Sequence, residues 1–406
     1  MKILHRIIRA LAVLLAVGTI TYTCCCYSNN EFISKWRTIY IETALSTMTH
    51  QWLATELLPE SVVEAVRQSN EQFNAENLQY ESSMELGMIP TITLKDNTEI
   101  ELDKETKARI EFMQTYTEID FSTMPEDISY YKLAMIDIED LGIKTVAGDP
   151  VYCIDTINKL LIVIIRDTNI EGKLAIIKDP RSVSLETCRY SYVGDRVVEI
   201  MNNNDGILAV NASGFADPNW HGAGNIPVGL VKSNGVEIQS RLTSTSWIVC
   251  GIDYTDTFRI GKSVNSDDLR DGVEFRPAII VDGELVVKDS AGWGLQPRTV
   301  VGQNSRKDIL LLTVDGRQVG YSVGATMEEC GNILLKYDAV QAINMDGGSS
   351  TVMAYNTETI TKSCSGNSNG RHVPNAWVVH GVEIDYTDNT HGVPKSSVED
   401  VIEFEK

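Results

Sequence analysis

One uncharged segment near the N-terminus constrains the chain more than any other feature. Between Arg9 and Glu31 lie 21 consecutive uncharged residues. A helix of that length spans the ~30 Å hydrocarbon core of a bilayer. Three basic residues precede it: Lys2, Arg6 and Arg9. The positive-inside rule therefore predicts a cytoplasmic N-terminus at 1–9, a transmembrane signal anchor at 10–30 and an extracytoplasmic remainder.

A cleaved signal peptide and a lipoprotein are the two alternatives for this segment. No small-x-small cleavage site follows the apolar run, where the chain reads Thr21-Tyr22-Thr23-Cys24-Cys25-Cys26. Tyr22 and Thr23 also fit poorly before a lipid-modified cysteine. We therefore favour an uncleaved anchor, and acylation of Cys24–Cys26 stays open.

The charge balance limits the partners of the chain. With 35 Lys and Arg against 56 Asp and Glu, the net charge is −21, and hydrophobic residues make up 43%. This composition excludes wholesale disorder and a polytopic membrane protein. It also disfavours nucleic acid, whose backbone needs clustered cations. An anionic substrate would require a local basic pocket.

Five scattered cysteines have no C-x-x-C spacing and are predicted to be small buried residues.

The residue pattern changes at about residue 150, where frequent apolar runs typical of strands begin. Residues 31–147 are predicted to be a membrane-proximal stalk of short helices and acidic linker, with capping-box spacing at Ser61–Glu64. Residues 148–384 alternate frequent strands with helices, which indicates an α+β domain with a mixed sheet. Dipeptides typical of hairpin turns separate several apolar runs: Asn234-Gly235, Asp282-Gly283 and Asp315-Gly316. A polar tail is predicted at 385–406.

The strongest local pattern surrounds Asp346. A capping box at Thr326–Glu329 predicts a helix, a strand follows over 339–345, and Asp346 then precedes two glycines and three hydroxyl residues. Such a loop can hold phosphate oxygens beside a carboxylate that acts as an acid or base. A tight turn in which Asp346 only caps backbone groups is the alternative.

Other candidates are less specific on their own. Asp315 is followed two residues later by Arg317, and Arg298 stands in a rigid Gln-Pro-Arg-Thr loop. Arginine suits a buried anion site because its planar fork matches phosphate geometry. Arg371 is a weaker candidate of the same kind, and His221 is more simply an exposed loop histidine. The chain has no Walker A, G-x-G-x-x-G, H-E-x-x-H or G-x-S-x-G motif, which disfavours the corresponding enzyme classes.

Seven motifs occur in order along the domain: Asn211-Ala212-Ser213-Gly214-Phe215, Ile226-Pro227-Val228-Gly229-Leu230, Pro297-Arg298-Thr299-Val300-Val301-Gly302, Val314-Asp315-Gly316-Arg317-Gln318, Gly324-Ala325-Thr326, Asn344-Met345-Asp346-Gly347-Gly348-Ser349-Ser350-Thr351 and Arg371-His372-Val373-Pro374-Asn375. Together they resemble the phosphodiester glycosidase family, in particular its bacterial membrane-anchored members. Many relatives have Asn-Ala-Gly in the first motif, so Ser213 adds a hydroxyl there. The family's animal members remove N-acetylglucosamine from sugar-1-phosphodiesters.

The resemblance implies an α+β fold and cleavage of a glycosidic bond whose leaving group is a phosphate. It implies Asp346 and Asp315 as the catalytic carboxylates. We expect Arg298 and Arg317 to clamp the phosphate with the N–H groups of Gly347 and Gly348. The full predicted substrate-binding set is Arg298, Arg317, Asn211, Gly347, Gly348, Ser349, Ser350, Thr351, Arg371 and Asn375. The predicted substrate is a GlcNAc-1-phosphate-type compound or a cell-wall glycopolymer.

Two questions stay open at this point. A non-catalytic module that binds cell-wall sugar phosphates, or a structural ectodomain that tethers partners, would use the same chain differently. A divalent cation near the carboxylates is also open, because no ligand spacing supports one.

Overall fold

The structure is a computed structural model that describes most of the chain. The described residues are 2–47, 49–84, 104–119, 136–137, 143–189, 192–217, 222–241 and 247–381. The predicted tail at 385–406, His221 and much of the acidic linker lie outside these ranges.

Seven helices occur in the described part of the chain. They are α1 Lys2–Tyr27, α2 Glu31–Leu45, α3 Trp52–Thr55, α4 Glu60–Asn77, α5 Lys104–Tyr116, α6 Val197–Asn203 and α7 Met327–Leu335. Helix α1 is long and apolar enough to cross a membrane between His5 and Tyr27, and its apolar side chains are exposed. This agrees with either a single-pass anchor or a signal sequence.

Nineteen strands are described. They are β1 Ile136–Asp137, β2 Val151–Asp155, β3 Leu160–Asp167, β4 Ile170–Ile177, β5 Val183–Thr187, β6 Gly206–Asn211, β7 Val231–Ser233, β8 Val236–Gln239, β9 Ile248–Asp253, β10 Phe258–Gly261, β11 Leu269–Phe275, β12 Ala278–Val281, β13 Glu284–Leu285, β14 Arg298–Asn304, β15 Ile309–Val314, β16 Ala339–Asn344, β17 Met353–Tyr355, β18 Glu358–Thr359 and β19 Asn375–His380. The α+β fold class is therefore confirmed.

The strands form three antiparallel sheets. The largest has nine strands in the order β1-β2-β3-β4-β15-β14-β16-β12-β13. The other two have five strands each, in the orders β10-β9-β11-β7-β8 and β18-β17-β6-β19-β5. One face of the large sheet packs against the two smaller sheets through a shared apolar core. Helices α5 and α7 cover its opposite face. Burial on both faces explains the continuous apolar runs of β3 and β15.

The helices assigned to the stalk pack on the domain. The Asn77 side chain at the end of α4 exchanges two hydrogen bonds with the backbone of Ala278, at 3.0 and 2.9 Å. Helix α2 contacts the loop that precedes β14, where Lys35 pairs with Asp289 at 2.5 Å. The boundary at 147/148 stays a prediction, but part of the N-terminal region lies directly against the sheet domain.

Local predictions have mixed outcomes. The capping box of α7 is confirmed, since Thr326 Oγ1 accepts from the Glu329 backbone and the Glu329 side chain binds back. The capping box predicted at Ser61 is wrong. Helix α4 begins at Glu60, after Pro59, so Ser61 lies inside the first turn and does not precede the helix. Residues 234–235 and 282–283 join paired strands. Residues 315–316 do not form the predicted hairpin turn, because the strand before them, β15, pairs with β14 and β4. The chain reverses later, between Gln318 and Ser322.

Candidate active site

Neighbouring strands of the large sheet bring the candidate residues to one edge. Strand β14 begins at Arg298, directly opposite Val314 at the end of β15. On its other side β14 pairs with β16, and Met345 continues that pairing by donating to the Thr299 carbonyl at 2.8 Å. Antiparallel pairing therefore places Asp315 and Asp346 on opposite sides of the start of β14. Two interstrand spacings put their backbones about 10 Å apart.

The Asp346 loop is held in place by backbone contacts. The Asp346 N–H donates to the Ala212 carbonyl at 3.0 Å, and its own carbonyl accepts from Asn211 Nδ2 at 2.6 Å. The N–H of Gly348 donates to the Pro297 carbonyl at 2.9 Å. The end of β6 and the start of β14 thus fix the position of the carboxylate.

The Asp346 carboxyl has an unusual protonation equilibrium. Burial raises its pKa to about 6, although the Ser350 hydroxyl, the nearby Arg371 charge, the Gly347 N–H and the Arg317 charge all oppose the rise. A carboxyl with a pKa near neutrality can exchange protons under physiological conditions.

The backbone N–H groups of Gly347 and Gly348 are already hydrogen-bonded, to the Asp346 carboxyl and to the Pro297 carbonyl. They are therefore not free to bind a phosphate, and the arginine side chains are the more available donors.

Arg298 is a buried cation at the base of this loop. Only 2% of its surface is exposed, and its guanidinium donates to the carbonyls of Ala325, Trp293 and Gly294 at 3.0, 2.9 and 2.6 Å. These bonds use Nε and Nη2. The remaining Nη1 lies 4.0 Å from the point where a Cβ on Gly347 would be. Burial lowers the pKa of Arg298 to about 10. The group remains a fixed positive charge beside the loop at neutral pH.

Arg317 approaches the same loop from the other side. Its Nε donates to Gln296 Oε1 at 2.6 Å, and its Nη2 lies 3.0 Å from where a Cβ on Gly348 would be. Gly348 has a φ of +62°, a conformation that favours glycine. The absence of a side chain there lets the guanidinium reach the loop. Arg317 is exposed, so its charge is accessible to a ligand.

Arg371 completes a group of three cations around the loop. Its Nη1 donates to Ser349 Oγ at 3.3 Å, and its guanidinium lies 4.5 Å from the centre of the Phe215 ring. Asp217 is 3.8 Å away and partly balances its charge. The three predicted arginines are therefore brought to a single loop, together with Asp346.

Asp315 has a different environment. Its Oδ2 accepts from the Tyr321 hydroxyl at 2.9 Å and from the Lys362 N–H at 3.1 Å. Burial raises its pKa. Its Oδ1 is buried without a hydrogen-bond partner. The second carboxylate thus lies on the β15 side of the edge and keeps one unused acceptor.

The remaining predicted residues divide into bonded and unsatisfied groups. Asn211 is fully buried, and its Oδ1 accepts from Thr299 Oγ1 at 2.7 Å and from the Val352 N–H at 3.2 Å. Asn375 Oδ1 accepts from both the N–H and the hydroxyl of Ser213, each at 2.9 Å. Asn375 Nδ2 and Thr351 Oγ1 are buried without partners. Unsatisfied buried polar atoms cost about 1–3 kcal/mol each, and a bound substrate is one means of satisfying them.

The supporting contacts include residues that the sequence did not single out. Gln296 Nε2 donates to Ser46 Oγ at 2.7 Å and to the Thr43 carbonyl at 3.2 Å, so α2 holds the residue that orients Arg317. Gln296 adjoins the predicted Pro297-Arg298 motif, which is a usable signal. Nothing in the sequence connects Thr43 or Ser46 with a segment 250 residues away.

The described residues do not provide the ligand arrangement that a metal site requires. Within them, no group of three or more His, Cys, Asp and Glu side chains is placed to hold a metal ion. The cations of the site are its arginines.

A scan against protein families matches residues 204–380 to the phosphodiester glycosidase family. This segment is a phosphodiester glycosidase domain. All seven motifs noted in the sequence fall inside it, so the resemblance to the family is confirmed, while membership among its bacterial membrane-anchored proteins stays a prediction. No curated protein matches the chain.

Solved structures similar to the phosphodiester glycosidase domain are distant. The zebrafish N-acetylglucosamine-1-phosphodiester alpha-N-acetylglucosaminidase catalytic domain, auto-inhibited by its pro-peptide, is 18% identical. The match covers 55% of this chain and 82% of that one, with a TM-score of 0.45. A hypothetical protein from Synechocystis is 16% identical over 59% of this chain and 65% of that one, with a TM-score of 0.42. The assignment rests on the family match and not on these structures.

Proposed function

We propose that this chain is a membrane-anchored hydrolase that cleaves the glycosidic bond of a sugar-1-phosphodiester. The observation that carries the proposal is the convergence of Arg298, Arg317 and Arg371 on the loop of Asp346, in a chain whose net charge is −21. Three cations around one carboxyl suit an anionic substrate that reacts beside a proton-exchanging group.

The chemistry of the leaving group assigns roles to these residues. A phosphodiester is a weak base, so its departure needs neutralisation of negative charge more than a strong proton donor. Arg317 and Arg371 bind the phosphate oxygens, and buried Arg298 supplies a fixed positive field. Asp346 acts at the anomeric carbon as a general base for water or as a nucleophile. Asp315 is the second carboxylate, and Asn211 positions the loop.

The loop hydroxyls and Asn375 bind the sugar side of the substrate. Thr351 Oγ1 and Asn375 Nδ2 have unused bonding capacity, and Ser349 and Ser350 lie beside Arg371 and Asp346. The substrate in the cell is a GlcNAc-1-phosphate-type compound or a cell-wall glycopolymer. The domain lies on the extracytoplasmic side of the membrane, and the N-terminus is cytoplasmic.

Release of free sugar from UDP-GlcNAc or a teichoic-acid fragment by the full chain tests this proposal. Asp346→Asn should lower the rate at least 100-fold, because the variant can neither ionise nor attack. The variant should remain folded, since ionised Asp346 is itself disfavoured by burial at neutral pH. Full activity of a folded Asp346→Asn protein would overturn the assignment. Binding of wall polymer without turnover by the wild-type protein would favour a non-catalytic binding module.

A further inference from the structure

Three aromatic side chains form a continuous cluster beside the site. The Trp247 and Phe275 rings pack edge to face with centroids 5.1 Å apart, and Phe275 and Trp293 are 6.3 Å apart. Both tryptophans are partly exposed, whereas Phe275 is buried. Partly exposed tryptophan faces are suitable platforms for sugar rings and for cations.

Arg276 extends this cluster with an uncompensated charge. Its guanidinium lies 5.7 Å from the centre of the Trp293 ring, and its Nε is buried without a hydrogen-bond partner. Among the described residues no carboxylate pairs with it. Burial alone lowers the pKa of Arg276, without an opposing contribution from a nearby acid. A partly buried cation without a counter-ion is costly unless an anion occupies the site.

Arg306 is a comparable arginine in the same fold whose positive charge is compensated by nearby acidic groups. It also lies over an aromatic ring, 5.3 Å from the centre of Tyr116, and its Nε is also buried and unpaired. Unlike Arg276, it has Asp338 at 3.6 Å. Its pKa is raised against the effect of burial, first by Tyr116 and then by Asp308 and Asp338. The two residues therefore share packing and differ in charge compensation.

The Arg276 cluster is continuous with the candidate active site. The carbonyl of Trp293 accepts from Arg298 Nη2 at 2.9 Å, so Trp293 contacts both arginines. The carbonyl of Arg276 accepts from Asn344 Nδ2 at 2.9 Å, two residues before Asp346. Asn344 Oδ1 is a further buried acceptor without a partner. Trp293 and Asn344 therefore connect Arg276 directly to the segments that carry Arg298 and Asp346.

We propose that Arg276 and Trp293 form a second anion-binding subsite, which takes a second phosphate of the same glycan while a sugar ring stacks on the aromatic cluster. The inference rests on the proposed function and narrows its substrate class to glycans with more than one phosphate. The scissile phosphate occupies the Arg298, Arg317 and Arg371 group, and the second phosphate contacts the guanidinium of Arg276 beside Trp293.

Three synthetic substrates test this subsite with the full-length protein. The first is a GlcNAc-1-phosphate diester with an uncharged ethyl aglycone. The second carries an additional phosphate on the aglycone, and the third carries it on the sugar O6. We expect the wild type to prefer one of the bisphosphates over the first substrate by about tenfold or more in kcat/KM, the value of a charged hydrogen bond. The bisphosphate that is preferred, with its second phosphate on the aglycone or on the sugar O6, identifies which side of the substrate reaches Arg276.

Substitutions at Arg276 and Arg306 separate the subsite from general charge effects. Arg276→Gln should bring the preference ratio close to one, and Arg276→Lys should retain much of it. Arg306→Gln, which removes an equal charge at the far end of β14, should leave the ratio unchanged. An unchanged ratio in Arg276→Gln, or an equal fall in Arg306→Gln, would overturn the proposal.

A binding measurement distinguishes failure of this inference from failure of the hydrolytic function. The same three compounds are titrated calorimetrically into wild-type and Arg276→Gln protein. If no compound is hydrolysed, a bisphosphate preference that is lost in Arg276→Gln still supports the subsite. Equal binding of all three compounds by the wild type contradicts it, whether or not hydrolysis occurs.

Discussion

At the scale of single residues, Asp346 has the most distinctive environment in the candidate site. Burial raises its pKa to about 6 and outweighs the opposing effects of the Ser350 hydroxyl and of the Arg371 and Arg317 charges. Asp315, two strands away, also has a raised pKa but is bound to Tyr321 and Lys362. The two carboxylates are therefore not equivalent, and Asp346 is the one that faces the cations.

The role proposed for Asp346 predicts how the proposed reaction depends on pH. As a base or nucleophile it must be ionised, so kcat/KM should rise with pH through about 6 and fall about tenfold per pH unit below that value. The Arg371 charge lowers the Asp346 pKa, so removing it in Arg371→Gln should move this limb to higher pH. The measurement is a pH profile of kcat/KM for both proteins. Activity that falls above pH 6 would instead assign Asp346 as the proton donor.

At the scale of secondary-structure elements, helix α2 supports the arginines from outside the nine-stranded sheet. Thr43 Oγ1 accepts from the Leu295 N–H at 2.9 Å, and the Ser290 hydroxyl donates to buried Glu42. Gly294, with a φ of +60°, approaches so closely that a Cβ there would lie 2.4 Å from the Thr43 nitrogen. The same loop supplies two of the carbonyls that hold Arg298. The position of α2 is thereby coupled to that of the cations.

Substitution of Thr43 tests this coupling. Thr43→Val preserves the shape of the side chain but leaves the half-buried Leu295 N–H without its acceptor, at a cost of about 0.5–1.5 kcal/mol in the free energy of unfolding. We expect KM to rise several-fold, since the loop that positions Arg298 and Gln296 is loosened. Kinetics and thermal unfolding measure the two effects. Thr55→Val is the control, because the Thr55 hydroxyl bonds only within its own turn of α3. An unchanged KM for Thr43→Val would show that α2 does not position the site.

At the scale of the whole molecule, the apolar helix and the site are close along the chain. Only residues 28–30 separate α1 from α2, and Thr43 lies about 20 Å along α2 at 1.5 Å per residue. The proposed anchor role of α1 would hold the arginine cluster near the membrane surface. Substrates attached to the membrane would then be within its reach, although the net charge of −21 repels anions at long range.

The state of the N-terminus in cells is testable directly. We expect the full chain to sediment with membranes and to keep its first residues, with the domain exposed on the extracytoplasmic face. N-terminal mass analysis and protease treatment of right-side-out vesicles measure both properties. A released protein that lacks the apolar segment would establish a cleaved signal peptide. A lipid-modified N-terminal cysteine would establish a lipoprotein.

The sequence alone determined the apolar helix, the α+β class, the capped helix α7 and the motifs that the family match contains. These features depend on local patterns, whose periodicity and turn chemistry act over a few residues. It placed a hairpin turn at Asp315 and a capping box at Ser61 incorrectly, since pairing partners and helix starts depend on surrounding structure. Only the tertiary structure decided that the loop amides are already bonded, that α2 supports the arginines, and that Arg276 lies unpaired over Trp293. Each is a contact between segments distant in sequence, and burial and charge compensation exist only after those segments have packed together.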